Sequence, residues 1–295
     1  MNNPFDIPLP ALLSQLLLGL VNGSFYAILS LGLAVIFGLL HVINFAHGAL
    51  FMLGAVVTWM AMHYLGINYW AMLVIAPLLV ALFGVAIERL LLRWTYKLDH
   101  LYGMLLTLGV TLVLEGVLRS AYGVSGLPYN TPEALTGATQ LGFMILPNYR
   151  IWVVFASLTV CLGTWFLIER TRLGAYLRAG TENPKLVEAF GINVPLMVVA
   201  TYAFGVALAA FAGVLAAPVM HVSPLMGQSL IIVVFAVVVI GGMGSIMGSI
   251  LTGLGLGVVE GMTKVVYPEG SATVVFVVMV VVLLLRPAGL FGKEQ

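Results

Sequence analysis

"LLSQLLLGLVNGSFYAILSLGLAVIFGLLHV", residues 12–42, runs without a single charged side chain. As one helix it would measure about 45 Å, against a bilayer hydrocarbon core of ~30 Å, so it must tilt, break or re-enter. Asn22-Gly23-Ser24 is the expected weak point, because Gly and Asn loosen a helix and a Ser hydroxyl can bond the freed backbone. Similar apolar runs recur along the chain, at 49–63, 70–90, 101–122, 150–168, 195–217, 228–243, 247–264 and 271–286. Their lengths suit helices rather than the alternating strands of a barrel. The fold class read from them is all-α: a polytopic membrane protein of about 8–9 transmembrane helices, some broken or re-entrant, forming one transmembrane domain over residues 1–295.

Composition agrees, with 62% hydrophobic and 8% charged residues. Such a chain cannot be an ordinary soluble domain. A net charge of +1 gives no case for nucleic acid. The first ten residues hold no Lys or Arg, so the N-terminus does not read as a cleaved signal peptide. One cysteine, Cys161, excludes an internal disulfide and a cysteine metal cluster, and it reads as a small apolar filler.

Basic residues set the expected orientation. Arg89, Arg93 and Lys97 mark one loop as cytoplasmic, Arg170, Arg172, Arg178 and Lys185 a second, and Arg286 and Lys293 the C-terminal tail, leaving Arg119, Arg150 and Lys264 on the other side. The C-terminus is therefore expected inside. Counting 11–43 as one interrupted crossing places the N-terminus outside, and counting it as two places it inside; the first is preferred. The Pro- and Gly-bearing segment at about 123–149 is then an outward loop without a long helix.

Charge gathers in "ERTRLGAYLRAGTENPKLVEAFGINVPL", residues 169–196, where seven side chains are charged. Within it "NPKLVEAFG" has the marks of a short helix, with Asn183 as N-cap, Pro184 in the first position and Gly191 as terminator. Leu186, Val187 and Phe190 are expected to share one face. A short amphipathic helix of this kind lies in lipid headgroups or docks into a groove on a partner.

Eight glycines crowd residues 237–261, and the pairs Gly244/Gly248 and Gly253/Gly257 have the spacing that brings helix backbones close in lipid. No G-x-x-x-x-G-K-[ST] occurs, so this polypeptide is not expected to hydrolyse ATP. Neither H-E-x-x-H nor G-x-S-x-G is present, which argues against a membrane hydrolase. Polar groups interrupt apolar runs at Asn22, Ser24, Asn44, His47, His221 and Ser223; such groups should face protein or a water-lined path. A faint echo links "HVINFAHGALF" from His41 with "HVSPLMGQSLI" from His221. Glu115/Arg119 and Glu260/Lys264 are spaced to neutralise each other on their own helices. With no carboxylate expected at mid-membrane, an ion-coupled carrier working alone is the weaker class, and energy for active transport must come from elsewhere.

The segments 19–55, 169–194 ending "EAFGINV", "FAGVLAAPV" (211–219), "VVIGGMGSIMGSILTGLGLGVVE" (238–260) and "RPAGLFG" (286–292) together resemble the LivH-type permease subunits of bacterial branched-chain amino acid ABC importers. "INFAHG" and "GGMGSIMG" carry most of that resemblance. It implies a multi-pass subunit of the bacterial inner membrane that pairs with a second, related permease, two cytoplasmic ATPase subunits and a periplasmic solute-binding protein. ATP-Mg would sit on the partners, and no cofactor on this chain. The loop at about 169–194 would dock on the ATPase through Leu186, Val187, Glu188, Phe190 and Gly191. Asn22, Asn44, His47 and Ser223 become candidates for the translocation path of Leu, Ile or Val. Urea and short-chain amide importers have similar permeases, which leaves the solute open. Glu188-Ala189 matches only part of the "EAA" loop of other importer classes, so contacts are not carried over from those.

Overall fold

A computed structural model describes residues 8–40, 43–96 and 98–292, apart from the side chain of Leu39. His41, Lys97 and Lys293 lie outside the described residues. The helices are α1 (Leu9–Leu40), α2 (Ala46–Leu65), α3 (Tyr69–Leu90), α4 (His100–Tyr122), α5 (Asn148–Arg170), α6 (Arg172–Glu182), α7 (Pro184–Ala189), α8 (Val194–Met220), α9 (Met226–Gly241), α10 (Ile246–Val266) and α11 (Val274–Leu285). Seven are long and apolar enough to cross a membrane, and α9 and α11 are shorter apolar helices. The sequence reading of a polytopic helical membrane protein therefore holds. The 123–149 loop carries a small antiparallel hairpin, β1 (Ala138–Gln140) with β2 (Ile145–Pro147), in place of a long helix.

Two compact units emerge from the packing. One takes the described residues up to Ser30, Thr131–Leu162 and those from Val233 onward; the other takes the described residues of Leu31–Asn130 and Gly163–Ile232.

In the first unit α1 packs antiparallel on α10 through facing glycines. Gly19 and Gly23 of α1 lie against Gly257, Val258 and Leu254, while Gly253 and Gly261 of α10 lie against Ala27, Gln15 and Gly19. A Cβ on Gly23 would stand 2.8 Å from the Leu254 carbonyl oxygen, so backbone touches backbone. This corrects the expected break at Asn22-Gly23-Ser24. The helix is continuous over 32 residues, or about 48 Å. Ser24 Oγ donates to the Leu20 carbonyl at 2.8 Å within the intact helix, and Gly23 serves close packing, not bending. Such a length leaves the helix tilted or projecting beyond the hydrocarbon core.

The same unit explains why "GGMGSIMG" and "RPAGLFG" occur together. After α9 the chain turns through Gly242 and Gly244, both at positive φ (97° and 82°), and Ser245 caps α10 by accepting from the Gly248 N–H at 3.1 Å. The closing segment then folds back, Leu290 N–H donating to the Ile240 carbonyl at 2.8 Å and Phe291 N–H to that of Gly241 at 3.2 Å. These donors satisfy carbonyls that the end of α9 would otherwise leave open. The Glu260/Lys264 pair closes at 2.6 Å as expected, and Tyr26 adds a donor to Glu260 at 2.7 Å.

In the second unit α8 packs on α2 and α3, with Gly54 against Ala210, Gly213 against Phe51, and Gly84 against Val206. Glu115 does not meet Arg119 at ion-pair distance, which corrects that pairing. Its carboxylate is buried (4% exposed) and accepts from Gln228 Nε2 at 2.6 Å. Removing one partner of such a pair strands the other, whereas removing both leaves an apolar contact. Gln228→Leu should therefore lower stability by roughly 2–3 kcal/mol, and Glu115→Leu/Gln228→Leu should recover most of it. Thermal melts of the two purified proteins check this.

Candidate functional site

The elbow between α5 and α8 is built by local chemistry. Asn183 Oδ1 accepts from the Leu186 N–H at 3.1 Å, Pro184 opens α7, and Gly191 follows it at φ +82°. Gly191 N–H donates to the Glu188 carbonyl at 2.9 Å and Ile192 N–H to that of Val187 at 3.3 Å, the pair of bonds that defines a Schellman turn. Asn193 Oδ1 at once caps α8 through the Leu196 N–H at 3.0 Å. The caps and terminator read from sequence are all present. Preceding them is a helix the sequence reading missed, α6, tied to the end of α5 by Arg178 Nη1 donating to the Ile168 carbonyl at 3.0 Å and to Glu169 at 3.4 Å. Its signal lay in the apolar spacing of Leu173, Tyr176 and Leu177.

The expected shared face on α7 needs correction. Leu186 (54% exposed) and Phe190 (78% exposed), four residues apart, point outward together, but Val187 is buried at 5%. Val187, five residues before Ile192 and the acceptor of its N–H, turns inward toward the protein, leaving Glu188 exposed beside the Leu186–Phe190 pair.

Around one cavity of about 470 Å³ the end of α3 meets the elbow, Glu88, Arg89 and Arg93 on one wall and Glu188 and Asn193 on the other. The two basic loops therefore lie at the same end of this unit. Glu88 was not singled out in the sequence, where "IERL" reads as a helix end beside an arginine. It is buried (3% exposed) and accepts from the Tyr96 hydroxyl at 3.1 Å. Burial, together with the Glu88 carboxylate, pushes the Tyr96 phenol well above its ordinary value, so it stays a donor.

The polar interruptions divide between the units. Asn44, two residues before α2, and His47 in its first turn are both fully buried. Asn44 Oδ1 accepts from the Ala46 N–H at 3.0 Å, its Nδ2 donates to Tyr202 Oη at 3.3 Å, and Thr107 Oγ1 accepts from the Phe45 N–H at 3.1 Å. The His47 ring lies over Gly32. Ser223 is half-buried where α8 ends and α9 begins, its carbonyl accepting from the Met226 N–H at 3.2 Å. Beside it His221 holds φ +58°, a left-handed value unusual for a residue with a side chain. Asn22 is half-buried on α1 in the other unit. The echo from His41 and His221 has a structural counterpart: α2 and α9 each begin five residues further on, and their first turns touch where Gly48 meets Gly227.

Comparison with known proteins now bears on this architecture. The family described as "Branched-chain amino acid transport system / permease component" matches residues 15–284. The chain belongs to this family. The high-affinity branched-chain amino acid transport system permease protein BraD of Pseudomonas aeruginosa is 30% identical over 296 residues, covering 96% of each chain. Its counterpart LivH of Escherichia coli is 29% identical, again over 96% of each. LivM of Escherichia coli, a permease protein of the same kind of system, is 28% identical over 92% of this chain and 68% of its own length. No solved structure matches the chain.

Proposed function

We propose that this chain is the membrane-spanning permease subunit of an ABC importer for Leu, Ile and Val in the inner membrane. A periplasmic protein delivers the solute, a second related permease completes the pore, and two cytoplasmic ATPases carrying ATP-Mg supply the energy. What carries the reading is the elbow: a short helix, capped at both ends, that presents Leu186, Glu188 and Phe190 beside two basic loops. A cytoplasmic end for this face, and for the C-terminus, follows from the excess of Lys and Arg there. Val187 and Gly191 hold the turn's shape, and the exposed pair makes the contact. ATP-driven closure of the ATPases would push this rigid lever, which α8 continues into the core against α2 and α3.

Asn44, His47 and Ser223, with Asn22, remain the proposed polar points of the path. Full burial of Asn44 and His47 supports a role in holding the start of α2, with solute passing when that end of the helix moves. Asn44→Leu should therefore reduce uptake at least tenfold at unchanged expression, since it removes the acceptor for the Ala46 N–H and the link to Tyr202 together.

Reconstitution tests the whole reading. Proteoliposomes holding this chain, its sister permease and the ATPases should take up labelled leucine only with internal ATP and external binding protein. Uptake by this chain alone on an ion gradient would overturn it.

A further inference from the structure

Glu88, in the last turn of α3, is 3% exposed. Its Oε1 accepts from the Tyr96 hydroxyl at 3.1 Å, and its Oε2 is buried with no hydrogen-bond partner. An enclosed oxygen of this kind is costly, and its donor must come from the protein around it. The neighbouring helix carries one. The end of α3 lies beside the start of α8, where Glu88 and Arg89 share a lining with Val194 and Leu196, so the two helices run antiparallel. Further in, a Cβ on Gly84 would stand 3.0 Å from both methyl groups of Val206. One turn from that contact, in the same direction and on the same faces, are Glu88 of α3 and Tyr202 of α8.

Tyr202 is 1% exposed, and its hydroxyl makes one hydrogen bond among the described residues, accepting from Asn44 Nδ2 at 3.3 Å. Its own O–H donates to nothing. A phenol can accept and donate at once, so a buried donor and a buried acceptor stand unmet on facing turns of two packed helices. Glu88 acts electrostatically on Tyr202 as well as on Tyr96, which agrees with that placement. We infer that Glu88 is a positioning residue for translocation: its Oε2 receives the Tyr202 O–H when α8 shifts along α3. Because the same hydroxyl holds Asn44, the shift of α8 carries the start of α2 with it. The elbow's movement thereby reaches Asn44 and His47 through one phenol. This rests on the importer reading given under Proposed function, since ATP-driven movement of the elbow is what displaces α8.

Transport coupling by the assembled importer in proteoliposomes, with infrared difference spectra of the same complex, tests the inference. Tyr202→Phe and Glu88→Leu should each lower the leucine carried per ATP hydrolysed by about fivefold or more, with recovery of the ATPase subunits unchanged. The double variant should be no worse than the poorer single one, because both substitutions remove one shared bond. Glu88→Gln keeps a carbonyl oxygen for the Tyr202 O–H and should retain at least about half of the wild-type ratio. Should Glu88→Leu fail to fold, the infrared readout stands on gentler variants, Tyr202→Phe deleting a single oxygen. Between the nucleotide-free complex and the complex trapped with ATP and vanadate, the carboxyl band of Glu88, identified by its loss in Glu88→Gln, should shift. Tyr202→Phe should abolish that shift. Losses that multiply in the double variant, coupling indifferent to Tyr202→Phe, or a Glu88 band identical in both states overturns the inference. ATP-driven leucine uptake by a wild type whose Glu88 band stays fixed sinks this inference alone; a wild type with no ATP-driven uptake sinks the importer reading instead.

Discussion

Phe190→Asp should abolish coupling to the ATPase subunits while leaving the permease folded. The side chain is 78% exposed and sits in the Schellman turn that ends α7, so its own chain gains little from it. An aromatic held rigidly outward costs little entropy to dock, and residues of this kind carry most of an interface's binding energy, at 2 kcal/mol or more each. A carboxylate in the same place must be desolvated against an apolar pocket. We expect affinity for the ATPases to fall roughly 30-fold or more, with leucine-stimulated ATPase activity and uptake falling with it. Val187→Asp makes the contrast, because Val187 is 5% exposed and its loss should reduce folded protein itself. Co-purification and a melting curve read the two effects separately. Normal recovery of ATPase subunits with Phe190→Asp would show that the elbow is not the docking point.

Much of this elbow was legible beforehand because its signals are local. Asn183, Pro184 and Gly191 each act within a few residues, and each occupies its expected position. Inward rotation of Val187 was not legible, because six residues of helix show no periodicity that could distinguish the two sides. The membrane helices were equally readable: the run 70–90 became Tyr69–Leu90, since Asn68 caps it and apolar length fixes the rest. Long-range partners were not. Glu115 looked like the mate of Arg119 four residues away, yet it is held by Gln228, 113 positions distant. Glu88 gave no signal either, because its partner Tyr96 lies eight positions on, beyond the end of its own helix.

Glycine was the residue most easily misread, since the same letter marks a hinge or a close contact. At Gly23 local propensity argued for a hinge, and the partner helix decided for contact. The relatives at 30% and 29% identity over 96% of the chain bear on family, not on which glycine does which.

Gly253→Val puts that distinction to the strongest test. A Cβ at Gly253 would stand 2.6 Å from the Ala27 nitrogen and 2.7 Å from its Cα, both backbone atoms that cannot rotate away. Accommodating it requires α1 and α10 to separate, and separation loosens every contact along the Gly19, Gly23, Gly257 and Gly261 seam. Overpacking ordinarily costs about 1–3 kcal/mol, and with backbone on both sides the upper end or more applies. A marginal membrane subunit should then fail to accumulate in folded form. Gly255, two positions along the same helix, has nothing within 4 Å of its would-be Cβ, so Gly255→Ala should fold as well as the wild type. Fluorescence-detected size exclusion of tagged variants measures both. A monodisperse Gly253→Val with an unchanged melting temperature would mean that α1 and α10 do not meet through their backbones.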